Sequence, residues 1–513
     1  MYPGVHAAQT PDKPAVVMAG SGRVLTYGQL DDNSAALASA LHGLGLRKGD
    51  VVALLADNAA ECFEVYWACM RSGLYITPVN RNLTADEVAY IVNDSEAKVL
   101  VVSAALRELA EKVRPEVEVA GAYSFGGEVA GYDSYEDLLA GAGPRLSDQP
   151  RGSDMMYSSG TTGRPKGVRQ AMIPIQVDQP GDPITGLLGG VFKCGPDDVY
   201  LQPAPVYHAA PLKWSGSIQA LGGTVVMMEK YDAEQALALI AEHKVTVAQF
   251  VPTMFVRMLQ LPEEVRAKYD VSSLRLAVHA AAPCPPEVKQ AMIDWWGPVV
   301  FEYYGSTEQN GITFISSPEW LQKRGSVGKA MIGVARICDD EGNELPAGEV
   351  GTVYFERDAR PFEYHNDPDK TREATHPVHE TWTAVGDLGY LDEDGYLFLT
   401  DRKAFTIISG GVNIYPAEVE SVLTLHPRIF DVAVIGVPDA VMGQAVKAVV
   451  QLKDPADASA ELEQEIIDYA RERIAHFKAP RTVSFVDHIP RLPTGKLVKR
   501  EIEQMFKDTE VPA

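Results

Sequence analysis

No CxxC pair occurs anywhere in this chain. Its five cysteines stand singly at Cys62, Cys69, Cys194, Cys284 and Cys338, a spacing that supports neither a metal ligand set nor a disulfide framework. They read as small apolar residues of the interior. No apolar run approaches the ~18 residues that a membrane-spanning helix needs. The N-terminal MYPGVHAAQTPDKPAV lacks the charged-then-apolar order of a secretion signal. The expected address is therefore cytoplasmic, with no membrane span. Basic residues are in deficit: 46 Lys and Arg stand against 70 Asp and Glu, a net charge of −24. A nucleic-acid binder needs basic surface against the phosphate backbone, so this balance argues against one, and it disfavours anionic membrane surfaces too. A small anion in a cleft is a different matter, because one loop is able to be locally positive inside an acidic protein. Strong internal repeats and low-complexity tracts are also missing.

What is present is a long, ordinary globular composition. The 513 residues are 46% apolar and 23% charged, enough for a large core and too many for a single one; about three to four compact units are expected. Buried strands and helices alternate. VVALLA (51–56), the helix ECFEVYWACMRSG ending at Gly73, YITPV, a helix from Thr84 and KVLVVS form one series. Thr84 with Glu87 three residues on fits a capping box. A second series follows Gly223: TVVMM, AEQALALIAEH, VTVAQFV, TMFVRMLQ, LRLAVH and PEVKQAMIDWW. Such alternation predicts an α/β chain with two parallel-rich sheets covered by helices. After about residue 325 the turn signals DDEGN and PAGEVG separate short apolar runs, which predicts a small antiparallel, β-barrel-like unit. From about 403 a final α+β unit of roughly 110 residues follows. The expected division is 1–402 and 403–513, with a hinge near Asp401, Arg402 and Lys403.

The most informative stretch is YSSGTTGRPKG, Tyr157 to Gly167, entered from an apolar DMMY run. Gly160 and Gly163 allow positive φ, so that consecutive N–H groups can turn toward one anion. Ser158, Ser159, Thr161 and Thr162 add hydroxyl donors, and Lys166 adds a positive charge. The loop is built to hold phosphates, although it does not match the Walker A pattern.

This string resembles the phosphate loop of the adenylate-forming superfamily, which includes acyl- and aryl-CoA synthetases, peptide-synthetase adenylation domains and firefly luciferases. The superfamily's other signatures occur in order along essentially the whole chain. YYGSTE, Tyr303 to Glu308, resembles the second. It implies that Tyr303, Tyr304 and Gly305 border the adenine and acyl site, that Thr307 bonds the α-phosphate, and that Glu308 holds Mg²⁺, with Thr161 as a further metal contact. A hard divalent cation suits carboxylate and phosphate oxygens. GDLG supplies Asp387 for the ribose hydroxyls, a fit between an acceptor-only group and a diol. Arg402 resembles the ribose-contacting arginine, and the small residues Ala281, Ala282 and Pro283 of HAAAP would lie beside adenine. In ISGGVNIYP, Gly410 and Gly411 would form part of a thiol tunnel and Asn413 would face the nucleotide. PRLPTGKLVKR resembles the C-terminal signature, so Lys496 would be the catalytic lysine, its ammonium bridging substrate carboxylate and α-phosphate. One position departs from the family pattern: the residue after Lys403 is Ala404 where the hinge usually carries a charge. Either Lys403 serves as the pivot or the hinge lacks one.

The resemblance implies an AMP-forming carboxylate–CoA ligase using ATP, Mg²⁺ and coenzyme A; a homodimer is compatible with it. His208 resembles the gate residue near the acyl carbonyl. Ala210, Trp214, Phe250, Pro252, His279 and Gly311 are the expected pocket lining, mainly apolar as small-molecule sites are. An apolar acid follows, with a fatty acid first and a hydroxycinnamate-type or bulky cyclic acid next. Three other classes share the motifs: an acyl-AMP ligase loading a carrier-protein thiol, a luciferase-like oxidoreductase, and a nucleotide-binding module without catalysis. The last would be expected to have lost Lys166, Glu308 or Lys496, and all three are present.

Overall fold

The structure, a computed structural model, describes residues 1–158, 165–439, 441–491 and 497–506. Both expected series are there. Tyr75–Val79, Val51–Leu55, Ala97–Ser103, Gly121–Phe125 and Asp133–Ser134 run parallel with Ser153–Ser158 in one eight-stranded sheet. Two antiparallel strands, Lys166–Gln170 and Phe362–Tyr364, finish its edge. The second series gives a nine-stranded sheet whose parallel centre is Val199–Gln202, Thr224–Met227, Val247–Phe250, Leu276–His279 and Val300–Gly305. Thr84 closes its capping box with Glu87 as the spacing predicted.

The helix Glu61–Met70 shows how the two sheets are joined. All ten of its residues are buried. A helix with no exposed face needs cover on every side. One core cluster supplies it, combining Trp67 and Trp214 with Val52 and Val99 of one sheet and Val225 and Val247 of the other. Two helices, Glu61–Met70 and Ala209–Ala220, thus share the core between the sheets, tied by the bond from Trp67 Nε1 to Gln219 Oε1 at 2.7 Å.

The N-terminus belongs to the second sheet, which the sequence did not suggest. Strand Pro14–Met18 pairs parallel with Thr224–Met227. The buried Tyr27 hydroxyl reaches the carbonyls of Gln219 and Gly223 at 3.0 and 2.7 Å, and Lys13 Nζ donates to Gly222 O at 2.6 Å.

The antiparallel unit consists of Val334–Cys338, Gly351–Glu356, Trp382–Leu391 and Leu397–Arg402. Its last strand ends at Arg402. After the short turn Lys403–Phe405 the C-terminal sheet begins with Ile407–Ser409. That sheet is centred on the long hairpin Ile429–Asp439 and Gly443–Leu452, and it carries helices Pro416–Leu423 and Ala460–Arg471. Asp401 spans the junction, its Oδ2 accepting from Ala417 N at 3.0 Å and so satisfying one orphan amide of the first C-terminal helix. No described helix is long and apolar enough to cross a membrane.

Candidate active site

Parallel strands leave their carboxyl ends open to ligands, and here those ends converge on one cavity of about 790 Å³. Ser158, Ala204, Phe250, Ala280 and Gly305 stand at or just beyond five strand ends and line it. Ser158 and Lys166, the described residues that flank the phosphate-loop stretch, pair in antiparallel register, and both line the cavity. Ser159, Gly160, Thr161, Thr162 and Gly163 lie outside the described residues, as does Lys496.

The nucleotide half carries most of the expected residues. Lys166, Ala281, Tyr303, Gly305, Thr307, Glu308 and Arg402 line the cavity; Tyr304, Asp387, Ala282 and Pro283 do not. Ala281 has φ +76°, a left-handed backbone that costs an alanine on the order of 1 kcal/mol and points to a constrained turn. On strand Val300–Gly305, alternation sends successive side chains to opposite faces. Tyr304 takes one face, where its hydroxyl donates to Asp387 Oδ2 at 2.6 Å. Burial, then the Asp387 carboxylate, holds this phenol far above its usual range, so it stays a donor. Arg402 Nε reaches the other oxygen, Oδ1, at 3.1 Å, as the register Asp387↔Arg402 dictates.

The loop after Gly305 is held from three sides. Gln170 Nε2 donates to the carbonyls of Thr307 and Glu308, each at 3.2 Å. Arg357 donates to the carbonyls of Gln309 and Asn310, and Asn310 Nδ2 to Thr383 O at 3.1 Å. Glu308 is 8% exposed, and its Oε1 accepts from the Tyr364 hydroxyl at 2.9 Å. Lys166 Nζ lies 2.9 Å from Asp367 Oδ2, which pulls the Asp367 carboxyl below its ordinary range. Tyr364 and Asp367 were missed in the sequence. Only the Asp-Pro start of the helix Pro368–Glu373 was legible there; what brings it to the site is the pairing of Phe362–Tyr364 with Val168–Gln170.

Every cation lining the cavity among the described residues has a carboxylate partner: Lys166 with Asp367, Lys213 with Asp154, Lys370 with Glu373, Arg402 with Asp387, and Lys403 with Asp340. Lys403 therefore has a counter-ion on the neighbouring sheet, while Ala404 beside it has no charge to offer.

In the acyl half, His208, Ala210, Trp214 and Phe250 line the cavity as expected. Its far wall is aromatic. Trp214 stacks on Tyr303 with centroids 6.0 Å apart at 14°; Phe192 lies 6.5 Å from Trp214 and 4.9 Å from Phe314. Gln249 Nε2 donates to the Tyr303 hydroxyl at 2.7 Å. Burial raises that phenol, while Gln249 and Trp214, as hydrogen-bond donors to it, act in the opposite sense.

Three expected lining residues stand elsewhere. Pro252 begins the helix Pro252–Leu259 and is buried off the cavity. Gly311 is packed against Phe355, whose Cδ1 would lie 1.9 Å from an added Cβ, so this glycine serves close packing. His279 is fully buried, edge-on to Phe255 at 5.4 Å and 3.6 Å from Glu302. Burial, then the Lys289 charge, holds its imidazole well below the usual range. It belongs to a core pair, Lys289 Nζ to Glu302 Oε2 at 2.6 Å. Lys289→Ala should therefore cost about 3–5 kcal/mol in urea unfolding, because it strands a buried charge, whereas Lys289→Met with Glu302→Leu should recover most of that loss. A double variant as unstable as the single one would sink this reading.

Gly410 and Gly411, with φ +58° and +80°, make the two-residue turn between Ile407–Ser409 and Val412–Ile414, a geometry that favours glycine at both places. They and Asn413 stand outside the cavity lining.

Comparison with known proteins agrees with this geometry. The family model described as AMP-binding enzyme matches residues 5–359, and the one described as AMP-binding enzyme C-terminal domain matches 418–496. The chain is 34% identical to the fatty acid–[acyl-carrier-protein] ligase ScoC of Streptomyces coeruleorubidus, covering 98% of this chain and 95% of that one. It is 33% identical to the long-chain-fatty-acid–CoA ligase FadD13 of Mycobacterium tuberculosis, covering 98% and 97%. Its fold matches the crystal structure of the anthranilate CoA ligase AuaEII in complex with anthranoyl-AMP at a TM-score of 0.84 and 28% identity, covering 98% and 97%.

Proposed function

The chain belongs to the AMP-binding enzyme family, as an adenylate-forming acid–thiol ligase, and we propose that it joins an apolar carboxylic acid to coenzyme A. The observation that carries this reading is the single cavity in which Lys166, Thr307, Glu308 and Arg402 face a wall of Phe192, Trp214, Tyr303 and Phe314. Phosphate-binding groups and an apolar pocket open into one space, as joining a nucleotide to an apolar acid requires.

In the first half-reaction a carboxylate oxygen attacks the α-phosphorus of ATP. A carbonyl–oxygen–phosphorus linkage forms and pyrophosphate leaves. Lys166 binds the phosphates after exchanging Asp367 for them, Thr307 contacts the α-phosphate, Asp387 accepts from the ribose hydroxyls, and Lys496 stabilises charge that builds in the transition state. Magnesium, when bound, would neutralise phosphate charge. The residues fit it: Glu308 offers one nearly enclosed carboxylate, bonded through Oε1 to the Tyr364 hydroxyl. That suits a hard ion held by one protein carboxylate and substrate phosphates. In the second half-reaction the C-terminal unit rotates near Lys403, coenzyme A enters past the Gly410–Gly411 turn, and its thiolate attacks the acyl carbon with AMP as leaving group. Rotation lets one small site serve two reactions of different geometry.

The testing experiment follows products by mass spectrometry with ATP and magnesium, with and without coenzyme A, over acids from acetate to palmitate plus ferulate, benzoate and a bile acid. Thioester that requires coenzyme A is the expected result. Adenylate that persists with coenzyme A but is consumed by a phosphopantetheinylated carrier protein would replace the acceptor, and absence of any adenylate would overturn the reading.

A further inference from the structure

The aromatic wall contains one polar group whose hydrogen bonding is incomplete. Tyr303 lies on the acyl-facing side of its strand, partly exposed to the cavity that Gln249 and Trp214 also line. Its oxygen accepts from Gln249 Nε2 at 2.7 Å. Behind it, the fully buried Tyr200 hydroxyl lies 3.5 Å from Gln249 Oε1, the accepting side of the amide. Gln249 and Trp214 thus both donate toward the Tyr303 oxygen. The Tyr303 proton has no acceptor among the described residues. A hydroxyl is both donor and acceptor, so this proton is left for whatever fills the cavity.

Shape narrows the occupant further. Trp214 and Tyr303 are nearly coplanar, at 14°, and Phe192 and Phe314 extend the same wall; flat walls match a flat guest through offset stacking. Tyr303 contacts Gln249 and Trp214 in the aromatic wall, whereas Thr307 and Glu308 are braced by Gln170; with the carboxylate at Thr307, the ring end of the acid is the part that meets Tyr303.

We infer that the preferred acid carries a planar ring with a hydrogen-bond acceptor oxygen at the end away from its carboxylate, and that Tyr303, oriented by Gln249, recognises that oxygen. This rests on the cavity being the site of an adenylate-forming ligase. An unbranched fatty acid offers no such acceptor and leaves the hydroxyl unmet, a deficit of about 10–100-fold in specificity.

The test measures kcat/KM for pyrophosphate release with cinnamate, 4-methylcinnamate, 4-hydroxycinnamate and 4-methoxycinnamate, alongside decanoate and palmitate. In the unaltered protein the oxygen-bearing acids should exceed the 4-methyl acid, which matches them in size, by roughly 10–100-fold. Tyr303→Phe should bring that ratio to within about threefold of one; Gln249→Leu, which removes one of the two donors to the Tyr303 oxygen and keeps the phenol, should lower the ratio as well and serves if the first variant folds poorly. A ratio near one in the unaltered protein, a ratio untouched by both variants, or turnover confined to the unbranched acids would each overturn the inference while leaving the ligase reading intact. No pyrophosphate release with any of the six acids, against an intact fold, would instead remove the ligase reading on which it rests.

Discussion

Lys496→Ala should form acyl-adenylate at least roughly 10²–10³-fold more slowly than the unaltered chain, yet convert supplied acyl-adenylate to thioester at close to the original rate. The asymmetry follows from charge. In the first step negative charge gathers between the incoming carboxylate and the α-phosphate, where an ammonium stabilises it. In the second the leaving group is AMP, and the proposed rotation of the C-terminal unit withdraws the lysine beforehand. Lys496 itself lies outside the described residues, but the chain on either side is firmly placed. Arg491 grips Asp431 through two bonds, at 2.6 and 2.7 Å. Arg491 and Leu497 form an antiparallel bridge. Lys499, 6% exposed, pairs with Glu420 at 3.0 Å. The described residues on both flanks are thus anchored within the C-terminal unit. Rapid-quench measurement of each half-reaction decides the matter; equal losses in both would mean that one arrangement of the two units serves both steps.

Glu308→Gln should lower adenylation by about 10²–10³-fold and shift the magnesium dependence to higher concentration. Glutamine keeps the size of the side chain and removes the charge. The carboxylate is almost enclosed, with Tyr364 on one oxygen and the carbonyl behind it held by Gln170. Tyr364→Phe provides the contrast: it deletes one hydrogen bond and keeps the charge, and should cost only about tenfold. A magnesium titration of the Glu308→Gln variant that superimposes on that of the unaltered protein would exclude Glu308 as the metal-holding residue.

The parts legible in the sequence are those in which local pattern and chemistry coincide. Strand and helix periods gave both parallel series, and Thr84 with Glu87 marked a helix start that the structure reproduces. The contiguous motifs placed Lys166, Thr307 and Glu308 on one cavity: Thr307 and Glu308 sit just past the end of Val300–Gly305, and Lys166 opens its strand opposite Ser158. What was not legible depends on distant pairing. Asp367 meets Lys166 across 201 residues, and Gln170 braces Thr307 across 137; neither carries a local signal for its partner. His279 and Gly311 were expected in the pocket and stand elsewhere. In a strand, side chains point alternately to opposite faces: Tyr303 reaches the cavity while its neighbour Glu302 turns inward to His279 and Lys289.

The placement of the first strand has a consequence for how the chain is made. Pro14–Met18 finds its hydrogen-bonding partner in Thr224–Met227, and Tyr27 and Lys13 close onto the same corner. At about 5–20 residues per second, a ribosome delivers that partner roughly 10–40 s after the first strand has been synthesised. Over that interval the strands from Val51 to Gln170 are already available to one another, but the opening thirty residues have no sheet to join. Pro14–Met18 thus waits for a strand 210 residues further on, and the stretch Phe362–Tyr364, which brings Tyr364 and Asp367 to Glu308 and Lys166, arrives later still. Assembly of the nucleotide site is a late event in the birth of the molecule, although its phosphate loop is among the early sequence to emerge.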